Sequence, residues 1–306
     1  MSINLVVAVT DSDWFEMLRR QPDLSEVNFW SPSPRNFKAL DLGELLLFKL
    51  RAQRNVIVGG GIFAHANVLP CSLAWEAFGQ ANGARSAKEM REQIVRYRSG
   101  HEDDGRDFPI GCRILTQPFF FEEEDWLPVP KSWSRNIVAY KTYNTRDDEG
   151  LDLWNAVRDR LNRQPLSSIT EQRPRYGEPR PIRPRLGQGA FRVLVTDIYQ
   201  RRCAVTRERT LPALEAAHIR PYAEGGDHDA RNGLLLRRDI HSLFDAGYVT
   251  VTPDHDFEVS GRIKEEFENG RDYYGLHGKS IYVPKGVGQK PDAAALSWHN
   301  ENCFLG

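Results

Sequence analysis

Three side chains in the C-terminal third of the chain, His218, Asn232 and His241, have the residue types that phosphodiester hydrolysis requires. A phosphodiester is anionic and repels hydroxide, so its hydrolysis needs a base that deprotonates water and a cation that offsets charge on the phosphate. An imidazole that titrates near neutrality suits the first task. A divalent ion held by few protein ligands, with positions left for phosphate oxygens, suits the second. The segment 214–245 is therefore the first candidate for a hydrolytic site.

The sequence around these side chains predicts a strand, a glycine-containing loop and a short helix. His218 lies at the end of a short apolar segment that is predicted to be a strand, and the glycine-containing loop at 223–226 follows this strand. Asn232 and the glycine after it precede a short amphipathic segment that carries His241. Asp245 lies four residues after His241, so in a helix both side chains would lie on one face and could chelate one ion.

This arrangement resembles the HNH motif of the ββα-metal nucleases, and the similarity extends from about residue 188 to the end of the chain. The resemblance implies that His218 is the general base, that Asn232 holds the loop that orients it, and that His241 binds the metal. It implies a divalent metal cofactor, Mg²⁺ or Mn²⁺ or another divalent ion, with Asp245 as a further predicted ligand. The alternative, that these are ordinary core and capping residues of a small α+β unit, does not account for three matched positions together.

The position before His218 departs from this pattern. Many HNH enzymes carry Asp or His there as a metal ligand, whereas this chain has Ala217. The metal shell must then be completed elsewhere, by Asp245 or, as a weaker candidate, by Glu215. The departure leaves a second hypothesis open, in which the chain keeps the HNH fold as a DNA- or RNA-binding module that cleaves poorly or not at all.

Arginine is concentrated just before this segment. Residues 158–209 contain thirteen arginines, no lysine and five acidic residues, a net charge of +8 in a chain whose total is −1, so the remainder carries −9. A basic belt beside a nuclease suits contact with phosphates, and the arginine fork suits paired contacts with phosphate oxygens. A solvated linker is the alternative. The predicted contacts with the DNA backbone are Arg183, Arg185, Arg192 and Arg220.

The same belt contains the predicted domain boundary. Residues 173–185 hold four prolines, which lack an amide donor and resist both helix and central strand, so this segment should be extended. Residues 151–161 have apolar side chains at helical spacing. The predicted organisation is a first domain over 1–150, a helix and Arg/Pro-rich linker over 151–187, and a nuclease domain over 188–306. The nuclease domain should open with a helix ending near Tyr199 and a strand at 202–207.

Residues 1–150 combine strand-like apolar runs with fewer helical segments, which predicts a compact α+β barrel. The aromatic segment 29–37, the step at Gly43 and Glu44 into a strand, and the Val-Gly run at 58–59 resemble the PUA-like superfamily, which includes the EVE, ASCH and YTH domains. The fold class predicted for the whole chain is therefore α+β, with an N-terminal PUA-like β-barrel with helices and a C-terminal ββα-metal HNH domain. The predicted strands are 5–9, 45–48, 55–58, 113–115 and 137–140.

A PUA-like domain beside an HNH domain resembles the layout of modification-dependent restriction endonucleases. The resemblance implies a double-stranded DNA partner whose modified base, 5-methyl- or 5-hydroxymethylcytosine, is flipped into an aromatic pocket that replaces its lost stacking. Phosphorothioate DNA, or RNA, is the alternative target. The predicted pocket residues are Trp30, Asn36, Phe37 and Phe63, with His65, Trp75 and Trp126 as further candidates. One base and one metal ion cut one DNA strand in each binding event. Because duplex DNA is two-fold symmetric, a homodimer is also predicted.

The composition is that of an ordinary globular protein. Hydrophobic residues make up 40% and charged residues 27% of the chain. No apolar run approaches the roughly 18–20 residues that span a membrane, and no basic segment precedes an apolar core at the N-terminus. The four cysteines include no CxxC pair, which disfavours a structural zinc ribbon and indicates a reducing, cytoplasmic location. Cys203 is interpreted as a buried apolar residue of the predicted strand at 202–207.

Overall fold

The computed structural model describes residues 2–51, 54–98, 105–163, 179–182, 186–286 and 288–306. The chain divides into two compact units, Met1–Arg185 and Leu186–Gly306. Arg183, Arg185 and most of the proline-rich segment lie outside the described residues. Their predicted contact with DNA and their predicted extended conformation therefore stay predictions.

The first unit, Met1–Arg185, combines seven described strands with four described α-helices. Its helix α1 begins after Asp11, whose carboxylate accepts hydrogen bonds from the amides of Asp13 and Trp14, and α3 begins after Ser86, whose hydroxyl accepts from the amide of Glu89. In chain order the elements are β1 (Asn4–Thr10), α1 (Ser12–Arg19), β2 (Glu26–Asn28), β3 (Leu45–Leu50), β4 (Val56–Pro70), α2 (Cys71–Phe78), α3 (Ala87–Tyr97), β5 (Pro109–Phe120), β6 (Leu127–Pro128), β7 (Tyr140–Asn144) and α4 (Asp148–Arg163).

The strands of this unit form one mixed seven-stranded sheet. The order is β2-β5-β4-β3-β1-β7, with β6 paired to β4; β1 and β3 run parallel and the other pairs are antiparallel. The predicted α+β class is confirmed. Among the described strands, β2 and β7 end this order without pairing to each other, so hydrogen bonding does not close the expected barrel into a ring.

The sheet of the first unit is apolar on both faces, because successive side chains of a strand alternate between them. Leu5 and Leu45 lie in one buried cluster with Trp154 of α4. Val6 and Leu46, their immediate neighbours in the chain, lie in a second cluster with the aromatic side chains of α1. Burial on both faces explains why β3 is apolar at nearly every position and reads in the sequence as a continuous run.

The second unit, Leu186–Gly306, is built around a two-stranded hairpin and the helix that follows it. The strand β8 pairs antiparallel with β9, and α5 and α6 both contact this hairpin. A separate three-stranded sheet has the order β10-β11-β12. In chain order the elements are α5 (Gln188–Ile198), β8 (Leu214–His218), β9 (Gly233–Arg237), α6 (Arg238–Asp245), β10 (Val249–Val251), β11 (Asp256–Val259), α7 (Arg262–Phe267), α8 (Arg271–Tyr274), β12 (Lys279–Ser280) and α9 (Ala293–Asn302).

The strand predicted at 202–207 is absent, and a turn takes its place. The amide of Cys203 donates to the carbonyl of Glu208 and the amide of Arg207 donates to the carbonyl of Cys203, so the segment closes on itself. Cys203 is fully buried, as expected for an apolar core residue. The strand predicted at 137–140 also shifts, since β7 begins only at Tyr140 and Val138 is exposed. Among the described residues, no helix is long and apolar enough to cross a membrane.

Candidate active site

His218 ends β8 and stands opposite Gly233 of β9. Its ring stacks face to face on Phe191 of α5, with the ring centroids 3.9 Å apart and an interplanar angle of 10°. A Cβ atom at Gly233 would lie 2.5 Å from Val195 Cγ2 and 2.9 Å from Phe191 Cζ. Glycine at 233 therefore lets α5 approach the hairpin closely enough for Phe191 to fix the plane of the imidazole.

A second histidine, which the sequence analysis did not single out, contacts His218. His228 Nδ1 lies 3.0 Å from His218 Nε2, and the His228 ring stacks on Tyr222 at 5.2 Å with an interplanar angle of 12°. Burial, together with the nearby His228 and His241, lowers the pKa of His218 to about 4, while Asp227 opposes the shift. Burial also lowers the pKa of His228. Both rings are therefore neutral near pH 7, and a neutral imidazole is the form that can accept a proton.

The side chain of Asn232 stabilises the loop that follows His218 through hydrogen bonds to its backbone. Its Oδ1 accepts a hydrogen bond from the Arg220 amide at 2.9 Å, and its Nδ2 donates to the carbonyls of Arg220 and Asp227, each at 2.9 Å. A Cβ atom at Gly226 would lie 1.9 Å from the Arg220 carbonyl oxygen, so only glycine fits where this loop folds back. These are the contacts that the predicted loop-holding role of Asn232 requires.

His241 lies on α6 between two carboxylates. Its Nδ1 is 2.9 Å from Glu215 Oε2 of β8, and its Nε2 is 3.3 Å from Asp245 Oδ2 one helical turn later. Arg238 Nε pairs with the other oxygen of Glu215 at 2.9 Å. The predicted arrangement of His241 and Asp245 on one helix face is present, and Glu215, the weaker ligand candidate, faces the opposite edge of the same imidazole.

The two carboxylates beside His241 differ in charge stabilisation. Burial alone would raise the pKa of Glu215, but its hydrogen bond to His241 and the charges of His241, Arg238 and Arg192 leave that pKa below its usual value. Burial raises the pKa of Asp245, and the charge of Glu215 adds to the shift while His241 opposes it. Glu215 is therefore the firmly ionised partner, and Asp245 is the carboxylate that a nearby cation would stabilise most.

The arginines predicted to contact DNA have structural partners near this site. Arg220 Nε donates to the Glu224 carbonyl at 2.6 Å, and its guanidinium lies 5.1 Å from the centre of the Trp298 ring. Arg192 of α5 is half-buried and close enough to Glu215 to affect its pKa. Arg220 thus closes its own loop, and contact of either arginine with DNA stays a prediction.

In the first unit, two of the predicted pocket residues meet in a buried aromatic cluster. Phe37 and Phe63 are 9% and 6% exposed, and their ring centroids are 5.6 Å apart. Tyr140 packs edge-on against Phe37 at 5.4 Å. Arg113 of β5 places its guanidinium 4.8 Å from the centre of the Phe37 ring, and its buried Nε has no hydrogen-bond partner. Arg113 was not identified from the sequence, because a single arginine in an apolar strand gives no signal of its own.

Of the remaining two predicted pocket residues, Trp30 packs against the larger apolar cluster that contains Phe37 and Phe63. Trp30 is half-buried and donates from Nε1 to the Asn82 carbonyl at 2.9 Å, while Asn36 is exposed. The loop between Trp30 and Phe37 lies directly on β5, where a Cβ atom at Gly111 would be 2.6 Å from a serine hydroxyl of the loop. Three of the four predicted residues therefore lie in the segment 30–37 and the fourth, Phe63, lies on β4; of these four, the rings of Phe37 and Phe63 are in contact.

The further aromatic candidates are dispersed through the first unit. His65 lies on β4 and Trp75 on α2, and both are half-buried. Trp126 donates from Nε1 to the Phe121 carbonyl at 3.1 Å, and the guanidinium of Arg54 lies 5.4 Å from its ring centre. Trp126 packs against the apolar clusters on both faces of the sheet.

Comparison with known proteins matches residues 203–252 to the HNH endonuclease family. The C-terminal unit contains an HNH endonuclease domain. None of the curated proteins matches the chain significantly. Similar solved structures include two mutant forms of ZmASCH from Zymomonas mobilis. Each is 9% identical to this chain in sequence, with a TM-score of 0.32, and the match covers 50% of this chain and 95% or 97% of the ZmASCH chain. The modification-dependent TagI restriction endonuclease is 11% identical with a TM-score of 0.30, over 98% of this chain and 81% of its own. At these TM-scores both likenesses are distant.

The HNH domain offers a divalent ion two protein ligands rather than three. Among the described residues, no three His, Cys, Asp or Glu side chains are grouped to hold one ion. The reason is that Glu215 and Asp245 occupy opposite nitrogens of His241, and an ion can bind one nitrogen. His241 Nε2 with Asp245 fits the ion, because a carboxylate on Nδ1 is the usual way in which a ligating imidazole is oriented. Ala217 is fully buried and supplies nothing.

Proposed function

We propose that the protein is a divalent-metal-dependent endonuclease that hydrolyses phosphodiester bonds in DNA carrying modified cytosine. The observation that carries the nuclease part is the pairing, within one HNH domain, of a neutral imidazole at His218 with an oriented imidazole at His241. The first has its pKa lowered to about 4, and the second is held between Glu215 and Asp245. One acts as the base and the other as the anchor of the cation that phosphodiester hydrolysis needs.

The residues of this chain divide the reaction between them. His218 takes a proton from the attacking water, and Phe191 keeps its ring in one plane while it does so. Asn232 keeps the loop after His218 folded. His241 Nε2 and Asp245 would hold the ion, which when bound offsets the negative charge of the phosphate. Mg²⁺ and Mn²⁺ suit this ligand set, since such ions keep several positions for water and phosphate oxygens.

The modified-base part of the proposal rests on the aromatic cluster of the first unit. Phe37 and Phe63 offer flat apolar surfaces, and Arg113 brings a buried donor with no partner of its own. A flipped base needs such surfaces to replace its stacking and a donor for one of its polar edges. Trp30, at the other end of the loop that covers β5, is the proposed second stacking surface. Phosphorothioate DNA remains the alternative mark, since a donor of this kind suits an anionic group as well.

The second candidate function is a DNA-binding protein that cleaves poorly or not at all. The observation that favours it is the fully buried Ala217, which leaves two protein ligands at His241. The two candidates predict different products from the same DNA.

The test is plasmid digestion with Mg²⁺ or Mn²⁺, using matched plasmids that carry cytosine, 5-methylcytosine, 5-hydroxymethylcytosine or phosphorothioate. EDTA and the His218→Ala variant serve as controls. Metal-dependent cutting of one of the modified-cytosine plasmids alone supports the whole proposal. Equal cutting of all four plasmids would contradict recognition of a modified base and would support nuclease activity alone. Binding of modified DNA without cutting under either metal favours the second candidate.

We propose further that the protein acts as a homodimer. One HNH domain supplies one base at His218 and one ion at His241, so a double-strand break needs two domains or two visits. Two-fold pairing of identical subunits matches the symmetry of duplex DNA. Light scattering of the protein, alone and on a modified duplex, tests this. A monomer in both, with nicked plasmid accumulating before linear product, contradicts it.

A further inference from the structure

The contact between His228 and His218 restricts how His218 can act as a base. Each imidazole carries one proton when neutral, so at a separation of 3.0 Å one ring must donate and the other must accept. The two arrangements leave opposite nitrogens of His218 without a proton. The identity of the donor in this pair therefore decides which His218 nitrogen is available to a water molecule.

The packing of both rings keeps His218 Nε2 directed at His228. Phe191 lies 3.9 Å from the His218 ring and nearly parallel to it, and Tyr222 lies nearly parallel to the His228 ring. A flip of either ring would have to break these stacked contacts and the hydrogen bond together. Within the part of the chain that the structure describes, no protein hydrogen bond engages His218 Nδ1. Nδ1 is thus the His218 nitrogen that no described protein group engages.

We infer that His228 is a positioning residue that accepts a hydrogen bond at Nδ1 from His218 Nε2 and so holds His218 in the tautomer whose Nδ1 is free to act as the base. This inference rests on the proposed function, since it assigns the partner of the proposed base. The reaction then balances: one O–H bond of water breaks, its proton moves to His218 Nδ1, and the oxygen electron pair attacks phosphorus. The phosphorus–oxygen bond to the sugar breaks, and its electron pair goes to the sugar oxygen. That oxygen takes a proton from solvent, and His218 Nδ1 returns its own proton to solvent, so one water is consumed for each bond broken.

The charges around the pair fit this assignment. Burial and mutual repulsion disfavour a proton on His218 in the resting state, and burial does the same for His228. When His218 becomes charged, a neutral His228 that accepts from Nε2 stabilises it, while Asp227 adds a favourable charge to both rings. A His228 that instead donated to Nε2 would place the only remaining proton of neutral His218 on Nδ1, where no base is then available.

The chain allows a matched pair of variants at this position. In His228→Asn, the amide oxygen takes a place close to that of the imidazole Nδ1 and can accept from His218 Nε2. In His228→Phe, the aromatic ring that stacks on Tyr222 is kept and the acceptor is lost. A role in packing alone would be served better by Phe, whereas the tautomer role would be served better by Asn.

The experiment combines plasmid cleavage with ¹⁵N NMR of histidine-labelled protein, in which the ring nitrogens report which one carries the proton. The His218 signals are assigned by their loss in His218→Gln. We expect wild-type His218 to be protonated on Nε2, His228→Phe to cut about 10–100-fold more slowly, and His228→Asn to recover most of that loss. A wild-type His218 protonated on Nδ1, or cutting by the Phe variant equal to or faster than that of the Asn variant, overturns the inference. The tautomer is read from wild-type protein, with His218→Gln used only to assign its signals, and it requires no nuclease activity. Failure of the proposed function is therefore seen separately as absence of cutting.

Discussion

The two units of the protein assemble their candidate sites in different ways. In the HNH domain, every proposed reacting or metal-binding side chain lies between Glu215 and Asp245, on one hairpin and the helix directly after it. In the first unit, Phe37, Phe63 and Arg113 come from a loop and two strands that are far apart in the chain. Chemistry here depends on local structure, whereas the proposed recognition depends on the pairing of distant strands.

The sites also differ in what their side chains contribute. The candidate HNH site consists of titratable groups whose charge is set by burial and by neighbours, as at His218 and Glu215. The aromatic cluster offers flat surfaces and a single cation, Arg113, whose pKa burial lowers. Removal of one group in the first site should therefore affect the rate, and removal of one group in the second should affect the choice of DNA.

The largest expected effect, and the clearest separation of cleavage from DNA binding, is that of His218→Ala. Loss of a general base typically slows a reaction by about 10²–10⁴-fold, and this change leaves the aromatic cluster of the first unit untouched. Cleavage of modified plasmid should fall by this factor, while gel-shift affinity for the same DNA in EDTA stays near that of wild type. If the variant cuts at near-normal rates, His218 is not the base, and if binding falls in parallel, the two sites are not separable.

Acid should destabilise the HNH domain through His299. This residue is 2% exposed, stacks on Phe244 at 3.7 Å, and contacts the Thr250 hydroxyl and the Phe244 carbonyl through its two nitrogens. The carbonyl only accepts, so His299 Nε2 donates to it. Burial lowers the pKa of His299 to about 4 from an ordinary 6.5. Between these two pKa values the unfolded chain binds more protons than the folded chain does. The contribution of neutral His299 to the free energy of unfolding is therefore complete above pH 6.5 and decreases as the pH falls towards 4, by about 3 kcal/mol in total.

Hydrogen exchange read by mass spectrometry measures this loss in each unit of the intact chain. The variant His299→Gln is the control, because it cannot titrate. The free energy of unfolding of the HNH domain should fall between pH 6.5 and 4 more steeply in wild type than in the variant. The first unit, which lacks this residue, should show the same profile in both proteins. Identical pH profiles of the HNH domain would refute the assignment.

A smaller effect is expected from Glu215→Gln. The amide cannot supply the charged acceptor that orients His241 through Nδ1, and such orienting partners typically contribute about 10–100-fold in metal affinity. The Mn²⁺ concentration that half-saturates cleavage should rise by this factor, and excess Mn²⁺ should restore the rate. Arg238→Gln removes the other partner of Glu215 and should have a weaker effect. Superimposable metal titrations of wild type and Glu215→Gln would show that this carboxylate does not support the ligand.

The sequence predicted the HNH site, which lies in one short segment, better than it predicted the aromatic cluster, which combines distant segments. The pair His241 and Asp245 was predictable, because four residues in a helix fix their common face. The loop-holding contacts of Asn232 were predicted from the resemblance and are present in kind. The side of His241 that Glu215 faces was not predictable, because it depends on how α6 packs against β8. His228 was missed because a single histidine in a loop shows no periodicity.

In the first unit the sequence predicted the element types better than their contacts. Apolar runs identified β1, β3, β5 and the start of β4. Which aromatic side chains meet depended on the register between β4 and β5, where two irregularities shift the pairing. Phe63 and Phe37 consequently touch while Trp30 turns to Asn82. In the second unit, the predicted strand at 202–207 failed because the amides of Cys203 and Arg207 bond within a turn.

The smallest expected effect tests the part of recognition that the sequence alone suggested. Trp30→Ala removes a half-buried ring at the end of the loop that lies on β5, together with the hydrogen bond to Asn82. If Trp30 stacks on the flipped base, the ratio of affinities for modified and unmodified DNA should fall roughly fivefold, at the lower end of the energies measured for base–aromatic stacking. Trp126→Ala is the matched control, because Trp126 is also half-buried and also donates to a backbone carbonyl. Competition binding in EDTA measures the ratio without cleavage. A loss shared equally by both DNAs, or by both variants, would assign Trp30 to packing and leave recognition to the cluster around Phe37 and Arg113.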